Sequence, residues 1–189
     1  MTYFRPVWEI SPDMIPIKRK TVLNFLAGKT DAVSSEVSDL IQSLKSSEAF
    51  QIEQNCRTTE EHDSTNWKLC ENFQFRFDQL SKATFSLIPV ENDIAGVMPR
   101  VIESFLSGAV PIVLSYSGNV IMPLTPTIDW SQVIIQLPFG RIPELPFFLS
   151  SITPDHIFTL RRQGKNPYLW ARIVKVFYRK IFVRGIFFP

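Results

Sequence analysis

Short apolar runs separated by polar, turn-forming segments divide the chain into a regular series of elements. "KTVLNFLAGK" (Lys20–Lys29) is largely apolar between basic ends, the pattern of a buried strand that runs through Gly28 into a glycine loop. In "SSEVSDLIQSLKSS", Val37, Leu40, Ile41 and Leu44 recur at helical spacing, with Ser34 or Ser35 placed as N-cap. "AFQIEQN" reads as a second short strand. "ENFQFRFDQLSKA" puts Phe73, Phe77 and Leu80 on one face of a helix, although Phe75 interrupts the stripe. "TFSLIPV" is a third strand, ended by Pro89.

The next segment, "RVIESFLSGAVPIVLS" (Arg100–Ser115), changes period within a few residues. Pro99 suits the first turn of a helix, Val101, Ile102, Phe105 and Leu106 form its apolar stripe, and Gly108 is a natural C-cap. "AVPIVLS" then reads as a buried strand, and Gln132–Leu137 as another. "IPELPFFLSSI" and "TPDHIFTLRRQGK" read as helices, the second with Thr153 as N-cap and Pro154 at its first position. "PYLWARIVKVFYRKIF" has the pattern of a final amphipathic helix. Strands and helices alternate, so the expected fold is α/β: a doubly wound, Rossmann-like parallel sheet with helices on both faces.

Composition narrows the function classes. With 189 residues, 45% hydrophobic and 20% charged, the chain is long enough for one domain, or one lobe of a larger protein, with a sizeable core. A net charge of +2 gives no electrostatic footprint for nucleic acid or an anionic membrane. The start, interrupted by Pro6, Pro12 and Pro16, does not read as a secretory signal, and no window has the roughly 18 consecutive apolar residues of a membrane span. The 16 Phe residues, many of them after residue 139, suit a core or a surface made for a neighbour.

Candidate chemistry is sparse. Cys56 and Cys70 flank the polar loop "RTTEEHDSTNWKL"; they read either as inert thiols or as a disulfide that would stabilise by about 3 kcal/mol in the chain-entropy account. His62 is the only histidine near them and the spacing suits no metal site, so no metal ligands are assigned. His62 and His156 read as a loop and a helix-surface residue, and Asp129 with Trp130 as a loop anchor. No carboxylate pair, triad or Asp-x-Asp motif marks a catalytic centre, and the catalytic residues stay unassigned. Arg100 and Glu103 lie one turn apart at the start of a helix that follows a strand. There they are either an ordinary surface ion pair or part of an anion site beyond the carboxyl ends of the strands.

"RVIESFLSGAVPIVLS", "MPLTPTIDW" and "LRRQGK", in that order, together with "KRKTVLNFLAGK" and "NWKLCENFQFRFDQLSKATFSLI", resemble the exostosin family of heparan sulfate glycosyltransferases. The pattern is most similar to the exostosin-like three subgroup, which adds N-acetylglucosamine. The resemblance implies a type B glycosyltransferase fold with this chain as its C-terminal, nucleotide-sugar-binding lobe. It divides the chain into a linker or N-terminal-lobe remnant at 1–16, the lobe at 17–165 and a divergent helix or tail at 166–189. Arg100 would hold the diphosphate of a UDP-sugar donor and Glu103 its ribose or sugar, with Gly28 also at the donor site. No tightly bound cofactor is implied, and a divalent metal is left open. Expected partners are the UDP-sugar, a glycosaminoglycan acceptor, an N-terminal lobe or second transferase domain, and a second copy in a homodimer. The resemblance also favours the Cys56–Cys70 disulfide and a Golgi or endoplasmic reticulum lumen location, the full-length family being membrane-anchored.

The chain departs from the family pattern in "PVENDIAGVMPR". Glu91 and Asp93 stand where a diphosphate favours positive charge, and Pro99 removes a backbone donor. These features imply a degenerate donor site. The alternative is a non-catalytic lobe that packs against a partner domain through its Phe-rich C-terminal third.

Overall fold

The computed structural model describes residues 15–17, 19–28, 34–46, 48–56, 73–90, 97–125, 127–166, 168–171 and 173. Five parallel strands form one sheet: β1 (Thr21–Gly28), β2 (Phe50–Cys56), β3 (Ala83–Pro89), β4 (Val110–Ser115) and β5 (Ile135–Pro138). The helices are α1 (Ser35–Ser43), α2 (Phe73–Leu80), α3 (Val97–Ser107), α4 (Leu145–Ser151) and α5 (Pro154–Gly164). Strand order is β2-β1-β3-β4-β5. The chain winds outward from β1 to β2, crosses back to β3 and continues the other way, so the topological switch point lies between β1 and β3. This is the doubly wound, Rossmann-like lobe expected from the alternating pattern.

Alternation along the strands feeds two cores. Phe85 and Leu87 of β3 and Ile112 and Leu114 of β4 face α1 and α4, meeting Val37, Ile41, Leu145 and Leu149. Ile88 and Val113 face the other way, onto Val97, Met98, Val101 and Phe105 of α3. Every residue of β3 and β4 is buried, as central parallel strands covered on both faces must be. Helix α5 joins the two layers: Ile157 and Leu160 enter the first core, while Gly164 lies against the Phe105 ring. Beyond it, Leu169 and Ile173 are buried in the second core, and Trp170 meets Phe105 edge-on at 6.4 Å.

Local signals account for the element ends. Ser34 Oγ accepts from Val37 N–H (3.4 Å) and Thr153 Oγ1 from His156 N–H (3.3 Å), each capping the first turn of its helix. The last strand differs from the expected Gln132–Leu137. It starts at Ile135, because Trp130–Gln132 form a 3₁₀ turn in which Asp129 Oδ1 accepts from both Ser131 N–H (3.1 Å) and Ser131 Oγ–H (2.6 Å). Such local side-chain bonds outcompete extended pairing. Trp130 is buried and its Nε1–H donates to Pro123 O (2.8 Å), tying the β4–β5 connection down.

The amino edge of the sheet is held by an arginine. Arg19 Nη1 donates to Leu80 O (3.1 Å), Ala83 O (2.9 Å) and Ser107 O (2.9 Å), placing a cation at the C-terminal ends of α2 and α3. Burial, and then the charge of Arg161, lower its pKa to about 10. Lys165, just past α5, is lowered to about 8, chiefly by burial and then by Arg19 and Arg161. Gly108 closes α3 with φ +71°, and a Cβ there would stand 2.9 Å from Arg19 Nη2 and from Ile15 Cδ1.

Gly108→Ala is therefore expected to cost about 1–2 kcal/mol for the left-handed backbone alone, more once Arg19 is displaced, read as a lower urea midpoint. Lys165 gives a separate pH signature. Its folded pKa lies below the unfolded value, so its cost to folding is fully present below about pH 8 and is relieved as pH rises from about 8 towards 10.5. Denaturation across that range should show a rising contribution to stability that Lys165→Gln removes.

Candidate functional site

The carboxyl edge of the sheet is where α3 begins. Its first turn follows the end of β3, so the positive end of the helix dipole lies at the switch point. Gly28, the last residue of β1, reaches the same edge opposite Cys56, the last residue of β2, after a register shift between Ala27 and Gly28. The fold thus brings Gly28 and the start of α3 to one edge. Ser115, the last residue of β4, is also there; its hydroxyl is buried with no hydrogen-bond partner. Tyr116 follows it, 63% exposed, its ring edge-on to Phe139 at 4.9 Å.

Helix α3 has two buried faces. Val97, Met98, Val101 and Phe105 pack into the core, while Arg100, Glu103, Ser104 and Ser107 form a polar stripe that is buried as well. Arg100 is 9% exposed and Glu103 8%, so neither belongs to a surface ion pair. The serines satisfy themselves along the helix: Ser104 Oγ donates to Arg100 O (2.7 Å) and Ser107 Oγ to Ser104 O (2.9 Å).

Glu103 is met by Arg76 of α2. Arg76 Nε lies 3.2 Å from Oε1 and 3.1 Å from Oε2, and Nη2 lies 2.6 Å from Oε1. Both side chains are 11% exposed, so this charge-assisted fork operates largely out of water. The interaction was not anticipated from the sequence, yet a signal for it exists. Arg76 stands three residues after Phe73 and four before Leu80, on the apolar stripe of its own helix. A guanidinium at such a position needs a buried carboxylate.

Several sequence candidates fall elsewhere. His156 is exposed near the start of α5. Cys70, His62, Glu91 and Asp93 lie outside the described residues, and with them the partner in the expected Cys56–Cys70 disulfide. Among the described residues, no three His, Cys, Asp or Glu side chains converge to hold a metal ion. No described helix is long and apolar enough to cross a membrane.

Comparison with known proteins gives a consistent result. Residues 1–152 match the Exostosin GT47 domain. An Exostosin-1 homolog of Caenorhabditis elegans is 24% identical over 167 residues, covering 85% of this chain and 43% of the relative. Exostosin-1 of Drosophila melanogaster is 23% identical over 170 residues, covering 86% of this chain and 22% of the relative. The Arabidopsis thaliana protein named "Probable beta-1,4-xylosyltransferase IRX10" is 25% identical over 91 residues, 48% of this chain and 21% of the relative. The chain therefore spans less than half the length of each of these proteins.

The Arg76–Glu103 pair makes a stability prediction. Arg76→Ala leaves a buried carboxylate without its counter-ion and should cost about 3–5 kcal/mol in urea denaturation. Replacing both partners (Arg76→Met with Glu103→Leu) should cost much less, because no charge is then left buried. Equal losses in the single and double variants would show that the pair has no such coupling.

Proposed function

The chain belongs to the exostosin GT47 domain family, and on that premise we propose that it is the donor-binding lobe of a type B glycosyltransferase, built to take a UDP-sugar at the carboxyl edge of its sheet. The observation that carries this reading is the buried Arg100 in the first turn of α3, at the switch point of the sheet. A diphosphate seated there meets backbone N–H groups, the helix dipole and a guanidinium in low dielectric. Arg100 would stabilise the charge that develops on the leaving diphosphate as the sugar departs.

Glu103 takes the ribose or sugar hydroxyls in this reading, with Arg76 as its positioning residue. The fork occupies both carboxylate oxygens but leaves them lone pairs enough to accept a further hydroxyl. Gly28 allows close approach of a ligand to the end of β1. The Ser115 hydroxyl and the exposed Tyr116 ring lie on the same edge and would supply a polar contact and a stacking face. The acceptor in this reading is a glycosaminoglycan chain, bound with the help of another lobe, and the setting is the lumen of the secretory pathway.

A second reading is favoured by the engagement of Glu103 and by Phe147, which is 79% exposed on α4. In it the donor site is degenerate, as the acidic residues Glu91 and Asp93 suggest, and the lobe serves as a scaffold against a partner domain or a second copy.

Thermal melts with UDP and with UDP-N-acetylglucosamine separate the two. At about 100 times its dissociation constant, a ligand of the folded state adds roughly 2.7 kcal/mol, which raises the midpoint by several degrees. The donor reading expects that shift in the wild type and its loss in Arg100→Ala. An unshifted wild-type melt would remove the donor reading and leave the scaffold.

A further inference from the structure

The most conspicuous polar group that the donor site does not use lies at the opposite edge of the sheet. Arg161 of α5 is 5% exposed. Its Nη1 donates to Pro16 O (3.0 Å), but Nε and Nη2 are buried with no hydrogen-bond partner. A guanidinium has no acceptor of its own and stays charged, so two orphaned N–H vectors on a buried cation are costly unless something anionic meets them. Arg161 and Lys165 line a small, partly enclosed cavity with Phe105, Gly108, Val133 and Leu160, with room for about one water-sized group. Arg19 is close enough for its charge to depress Lys165, and Arg19's own Nη1 is committed to helix-end carbonyls.

We propose that this pocket is an oxyanion site, separate from the donor edge. One oxygen of a phosphate, sulfate or carboxylate enters the cavity against Arg161 Nε and Nη2. The rest of the group stays at the mouth, beside Lys165. Three features define the ligand. The unpartnered donors call for an acceptor. The neighbouring cations call for negative charge. The small volume admits a single oxygen rather than a ring or a nucleoside. The apolar wall of Phe105, Val133 and Leu160 strengthens the attraction by excluding water. Binding would tie α5 to the start of β4 and to the end of α3, which meet at this cavity. The burial that lowers Arg161 to about 10 accords with a cation two of whose donors lack an acceptor.

The test is a titration of the whole chain with inorganic phosphate at fixed ionic strength, followed by 31P NMR line broadening, with acetate and sulfate as competitors. With excess UDP present to occupy the donor edge, wild type should bind one equivalent, and Arg162→Gln, which removes the exposed neighbouring charge of α5, should bind it equally. Arg161→Gln and Lys165→Gln should each weaken binding by roughly tenfold or more, the effect of losing a charged hydrogen bond. If Arg161→Gln does not melt cooperatively, Lys165→Gln, at a more accessible position, decides. Competition by acetate as strong as by sulfate would identify a carboxylate as the preferred source of the oxygen; stronger competition by sulfate would identify a sulfate or phosphate group. No binding by wild type, or binding kept in full by both Arg161→Gln and Lys165→Gln, overturns the proposal.

Discussion

A parallel sheet has a direction, and in this lobe nearly every feature of interest depends on it. Parallel strands cannot be joined by tight turns, so each link between neighbours passes over a face and usually carries a helix. The helices that follow β1, β2 and β3 run back against the strands, so α1 and α3 start at the carboxyl edge and α2 and α3 end at the amino edge. The charges are distributed accordingly. The start of α3 carries the dipole's positive end at the switch point, and the ends of α2 and α3 attract the guanidinium of Arg19. The two candidate ligand sites sit at opposite edges for different reasons: one where helices begin, the other where a buried guanidinium keeps two donors unmet.

The Arg76–Glu103 fork gives this face of the sheet its particular character. Two helices that cover the same face of the sheet are joined by a pair of charges largely removed from water. Such a pair adds little net stability compared with a well-packed apolar contact, but it fixes geometry strictly, since breaking it strands a charge. The orientation of the Glu103 carboxylate is thus set by α2 before any ligand arrives. A site preorganised in this way keeps the same shape whether it serves catalysis or merely holds two helices in register.

The fold was legible in the sequence because its strongest signals are local. The helical spacing in Val37–Leu44, the caps Ser34 and Thr153, and Pro154 at the start of α5 each specify an element without reference to distant residues. The strand ends near Gln132 were misplaced because a side chain, Asp129, decides them through bonds to the next turn. The site was legible only in part. Position along the chain points to Arg100 and Glu103, but the partner of Glu103 lies on another helix, 27 residues away in sequence. Arg161 was hidden for a different reason: in "LRRQGK" nothing distinguishes the buried arginine from its neighbour Arg162, and only tertiary packing separates them.

The strand order also bears on how the chain reaches this structure. Strand β1 precedes the others, yet it lies inside the sheet, between β2 and β3. Its pairing with β3 joins Thr21 to Ala83, and the Arg19 bond to Ser107 spans 88 residues. Contacts that distant must wait for large loops to close, and they slow folding relative to local ones. During synthesis β1 therefore remains unpaired along one side until β3 has followed. The buried apolar side chains Leu23 and Phe25 belong to the strand with the longest wait for cover. In such a chain, aggregation is governed less by the finished surface than by the interval before the third strand arrives.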